Sequence, residues 1–136
     1  MTNDRPSTRS TTAALATLVI MTIATRAASA QADPAASARV AALNDAGDWA
    51  RAAALGRAAL AADTTRSAER CRLLVGVAYA DLFRARPDSA RATLAAFDGE
   101  CADVPVERAV RATVLRVRRV LGGAPIDSVF RRPERD

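Results

Sequence analysis

Apolar residues recur along this chain at helical spacing, and no stretch shows the two-residue alternation of a half-buried strand. Asp33-Pro34 reads as a cap followed by proline at a first helical position, and a helix over residues 34–46 carries Val40 and Leu43 on one face. Gly47 ends it, and Asp48 can cap a second helix over 48–62, where Trp49, Ala52, Leu55 and Ala59 recur at helical spacing. Residues 63–67 are polar and read as a turn. A third helix is expected over 68–84, with Leu74, Ala78 and Leu82 spaced by four and Val75, Val77 and Tyr79 widening the stripe. Arg86-Pro87 marks a break and restart. A fourth helix over 87–98 passes through Ala90, Leu94 and Phe97 and is expected to stop at Gly99. Pro105 is expected to open a fifth helix reaching Leu121, before Gly122-Gly123. The fold class this predicts is all-α: a short antiparallel stack of helical hairpins with a C-terminal capping helix.

The first thirty residues follow a different pattern. Residues 1–12 are polar and include Arg5 and Arg9, residues 13–25 run apolar, and Ala28-Ser29-Ala30 precedes Gln31. A basic start, a short apolar run and a small-x-small triplet make a secretory signal peptide over residues 1–30. The apolar run falls short of the roughly 20 residues that cross a bilayer. An uncleaved anchor at the membrane is the alternative. The expected organisation is a signal peptide over 1–30, a helical domain over 31–124 and a charged tail over 125–136. The predicted location is periplasmic or secreted.

Composition sharpens this picture. Alanine supplies 34 of 136 residues and aromatic residues only 4%, so helices must pack closely through small side chains. The formal charge of +5 falls to +3 once residues 1–30 are removed, so the chain is less basic than its pI suggests. There is no His and no Lys. That removes most general-base chemistry, His-ligated metals, Schiff bases and phosphate-loop lysines. Ser37, Ser67, Ser89 and Ser128 have no base to activate them, and Asp81 and Asp88 lie among Arg84, Arg86 and Arg91, as surface ion pairs would. No catalytic residue, cofactor or metal site is expected.

Gly47-Asp48-Trp49, with Ala52 three residues after the aromatic, then Leu55 and Ala59-Leu60, resembles the second helix of a tetratricopeptide repeat. Gly76 and Tyr79 resemble the small residue and aromatic of that family's first helix, and Ala90, Leu94 and Phe97 its second. The resemblance covers residues 34–98, as about two hairpins, with 105–121 as a lone cap. Ala52 and Ala90 are 38 residues apart, longer than the family's period of about 34. Val40 and Leu43 replace the family's small residue and aromatic, and Thr64 stands where a closing proline is common. The resemblance implies a protein-binding module with a concave face of first helices. Its lining would be Ser37, Ala41 and Asn44 on one hairpin, and Leu73, Val77 and Ala80 on the next. These lack the Lys, Asn and Arg set that clamps a peptide carboxylate in chaperone-binding members, which points to a shallow apolar contact.

Cys71 and Cys101 fall near the start of the third helix and the end of the fourth, which are neighbours in an antiparallel hairpin. In an exported protein this predicts a disulfide. Two free buried thiols are the alternative. The fifth helix is amphipathic: Val106, Val110, Val114, Val117 and Leu121 share one face, and Arg108, Arg111, Arg118 and Arg119 the other. That arginine face is either solvated or a docking stripe for an acidic protein or anionic headgroups. Nucleic acid is not expected as a partner, since no aromatics interleave for base stacking. The functional expectation is an exported, non-catalytic interaction module, a scaffold or accessory subunit of a cell-envelope complex. The alternatives are a peripheral membrane protein, held by the arginine helix or an uncleaved N-terminus, and a secreted inhibitor covering an acidic site.

Overall fold

The computed structural model describes residues 35–131. The expected signal peptide and the Asp33-Pro34 helix start lie outside these residues. The described chain forms six helices: α1 (Ala36–Asp45), α2 (Trp49–Ala62), α3 (Ala68–Phe83), α4 (Pro87–Cys101), α5 (Arg108–Leu121) and α6 (Ile126–Val129). No strand occurs among the described residues. The all-α stack follows from the apolar periodicity. α3 is its centre, packed by α1, α2, α4 and α5.

One turn device recurs along the stack. α1, α3 and α5 end at Asp45, Phe83 and Leu121, each 38 residues from the last. Left-handed residues follow at the same interval: Gly47 (φ 76°), Ala85 (φ 56°) and Gly123 (φ 107°). Each turn is closed by the next backbone N–H, which donates back to a last-turn carbonyl: Asp48 to Leu43, Arg86 to Asp81 and Ala124 to Arg119. Glycine takes this conformation without a Cβ penalty, whereas Ala85 holds it at a cost of about 1 kcal/mol.

Two helix boundaries differ from expectation. α4 runs through Gly99 to Cys101, because a Cβ at Gly99 would meet nothing within 4 Å and one exposed glycine only weakens a helix. α5 begins at Arg108 rather than Pro105, because Glu107 holds an extended backbone while Arg72 of α3 grips its carboxylate. The tail forms α6, and Ile126 and Phe130 pack against the core.

The core has three parts. Val40, Ala52, Ala53, Leu73 and Ala80 join α1, α2 and α3. Val75, Ala78, Leu82, Leu94, Val114 and Val117 join α3, α4 and α5. Cys71, Leu74 and Cys101 close the base of the α3–α4 hairpin. Two glycines set the helix separations. A Cβ on Gly56 would overlap Val77, and one on Gly76 would lie 2.7 Å from Val40 Cγ1. α1 and α2 therefore approach α3 more closely than alanine would permit. The Asn44 side-chain amide uses that proximity and donates to the Gly76 carbonyl at 3.0 Å.

Candidate protein-binding groove

α1, α3 and α5 line an open groove of about 840 Å³. Its floor is apolar, from Ala38 and Ala41 on α1 to Val75, Gly76 and Tyr79 on α3. Val110, Thr113 and Arg116 form the α5 wall, and Phe130 closes one end. Tyr79 and Phe130 meet edge to face, with ring centroids 5.3 Å apart. The lip is polar. Glu69 of α3 accepts from the Ser37 N–H at 2.8 Å and from its hydroxyl at 2.6 Å, supplying the start of α1 with a cap its own side chains lack. Arg72 Nε donates to both oxygens of Glu107, at 2.9 and 3.0 Å. That hydrogen bond holds the Glu107 carboxyl below its usual range and raises Arg72. Arg116 has no ion-pair partner among the described residues. An apolar trough with charged lips suits a peptide or helix edge.

Ser37, Ala41 and Asn44 line the groove as expected. Leu73, Val77 and Ala80 do not, which corrects the expected concave face. All three are buried, with Val77 against Gly56 of α2 and Leu73 and Ala80 in the α1–α2–α3 core. The groove uses Arg72, Gly76 and Tyr79, each one residue earlier and so one 100° step around α3. Asp81 is also corrected. It is fully buried rather than a surface partner, receiving hydrogen bonds from Arg57 and from Ser89 Oγ (2.8 Å), with Arg84 at 3.5 Å. This cluster ties α2, α3 and α4 together. Asp88 does pair with Arg91 at the surface, at 3.0 Å.

Other residues singled out from the sequence hold the stack together. Trp49 stacks on Phe83 with centroids 5.0 Å apart, Ala52 and Ala90 are fully buried, and Ala59 is half-buried in the α1–α2–α3 core. Cys71 and Cys101 form a disulfide between buried positions, with Cα atoms 6.0 Å apart. Sequence reasoning missed Gly56, Phe83 and Phe130. Gly56 lies four residues after Ala52, a small-residue ridge that could have marked it. Phe83 and Phe130 gave no signal, because their contact joins residues 47 apart in sequence.

The arginine helix divides its charges. Arg118 pairs with Asp98 of α4, whereas Arg108, Arg111 and Arg119 are exposed without a carboxylate partner among the described residues. Val114 and Val117 are buried in the core, with Val110 and Leu121 packed against it. Among the described residues, no three His, Cys, Asp or Glu side chains are grouped to hold a metal, and no helix is long and apolar enough to cross a membrane. Comparison with protein-family models, curated proteins and solved structures gives no match.

Proposed function

We propose that this chain is an exported, non-catalytic protein-binding module with tetratricopeptide-like architecture, a scaffold or accessory subunit of a cell-envelope complex. The carrying observation is the groove, an open trough with an apolar floor and charged lips, built from three helices that end at 38-residue intervals. Stacked hairpins present their first helices on one side, and a partner segment lies across them. In this reading α5 and the short α6 are a third, abbreviated hairpin. The disulfide suits an oxidising compartment, and the Ala28-Ser29-Ala30 triplet supplies the route there. The membrane reading has less support, because the valine face of α5 is engaged in the core and is not available to lipid.

The test is site-specific photo-crosslinking in native envelopes, with the cross-linker at Ala41 or Thr113 in the groove, or at Arg51 on the exposed outside of α2. One abundant partner captured from both groove positions, and not from Arg51, supports the reading. Equal capture from all three positions, or none from the groove, overturns it. Amino-terminal sequencing of the exported protein is expected to begin at Gln31.

A further inference from the structure

The outward face of α5 takes no part in the groove. Arg108, Arg111, Ala112, Leu115 and Arg119 share it, opposite the valines that enter the core. Leu115 is 61% exposed, the only large hydrophobic residue so open among those described. It lies one helical turn after Arg111 and one before Arg119, with Arg108 two turns earlier. None of these three arginines has a carboxylate partner among the described residues, although neighbouring Arg118 has Asp98. An apolar knob on a helical ridge, bracketed by unneutralised guanidinium groups, has the form of half a helix–helix contact.

We propose that this face docks an acidic amphipathic helix from a different protein. That helix would place an apolar residue against Leu115 and Asp or Glu one turn to either side, to meet Arg111 and Arg119 with paired hydrogen bonds. Charge complementarity selects this occupant. A second copy of the chain, docked two-fold about Leu115, would set arginine against arginine. An anionic bilayer would find the valine stripe already engaged, and three surface arginines alone give only about millimolar attraction. The face lies outside the groove, so this inference stands or falls separately from the groove reading.

The test uses the whole exported protein and a labelled synthetic helix of about five turns. The helix carries a central Leu with Glu one turn to either side, and a second version carries Lys at those positions. Vesicles rich in phosphatidylglycerol serve as competitor. Fluorescence anisotropy at low salt should show binding of the glutamate helix and not the lysine helix. Arg111→Glu with Arg119→Glu should weaken it roughly tenfold or more, and Leu115→Ser roughly fivefold. Arg51→Glu, on the exposed outside of α2, should leave it unchanged. All substituted side chains are exposed, and an unchanged thermal midpoint checks that the variants fold. The proposal fails if Leu115→Ser has no effect, if the charge-reversed variant binds equally well, or if the vesicles take up the protein and displace the helix.

Discussion

Gly76→Ala sets two opposed effects against each other. In a helix interior, alanine is favoured over glycine by about 1 kcal/mol. At Gly76 the new Cβ would lie 2.7 Å from Val40 Cγ1 and 3.7 Å from Val40 Cβ, roughly an ångström inside normal contact at the nearer atom. Val40 is 1% exposed and β-branched, with one strongly preferred helical rotamer, so it cannot swing aside. α1 must then back away from α3, stretching the Asn44–Gly76 hydrogen bond. Overpacking of this kind costs about 1–3 kcal/mol, so the net change is a destabilisation of about 1 kcal/mol, or roughly 4–8 °C in Tm for a domain of this size. Gly99→Ala is the control. Its Cβ meets nothing within 4 Å, so only the propensity acts, and the change should stabilise by about 0.5–1 kcal/mol. Urea unfolding followed by circular dichroism reads both. Val40→Ala combined with Gly76→Ala should be more stable than additivity predicts, by about 1 kcal/mol. If Gly76→Ala stabilises as Gly99→Ala does, the close α1–α3 approach is not what holds this interface.

Three further outcomes follow from the geometry. Reducing the Cys71–Cys101 bond, which spans 30 residues, should cost about 3–4 kcal/mol in the chain-entropy account, measured as a fall in the urea midpoint on adding reductant. Arg57→Met leaves buried Asp81 with Ser89 and Arg84 only, and should destabilise by about 1.5–3 kcal/mol, more than Met at exposed, unpaired Arg111. Glu100 is held below its ordinary value of 4.5, chiefly by hydrogen bonding to Arg70, so its contribution is complete above that pH and lost as acid titrates it through the lower folded value. Glu100→Gln should therefore flatten the acid limb of a stability–pH profile, and an unchanged limb would show that the pair adds nothing to folding.

What could be read in the sequence was local. Gly47, Pro87 and the Gly122-Gly123 pair mark turns because backbone conformation and a missing N–H act on the residue that carries them. The Cys71–Cys101 pairing followed from hairpin geometry taken together with the expected export. Ala85 was invisible, since nothing in an alanine announces a left-handed backbone; the Arg86 N–H bonded to Asp81 and the proline at the start of α4 hold it there. The groove was half legible. Ser37, Ala41 and Asn44 were placed on it correctly, whereas Leu73, Val77 and Ala80 missed by one residue. α3 is apolar over most of its circumference, so periodicity does not tell which face meets α2 and which meets the groove. Gly56 settles that choice from another helix, by drawing Val77 toward itself.

The disulfide also alters how the domain carries load. Tension applied between Ala35 and Arg131 passes from Cys71 to Cys101 through sulfur, so the chain between them bears none of it. At about 3.3–3.6 Å per extended residue, the bypassed 30 residues represent about 100 Å of length that pulling cannot release. A pulled molecule would give up α1, α2, α5 and α6 and then stop, with residues 71–101 still held in a closed loop of fixed size in the line. The chain thus has a built-in limit to its stretch, which reduction would remove in one step.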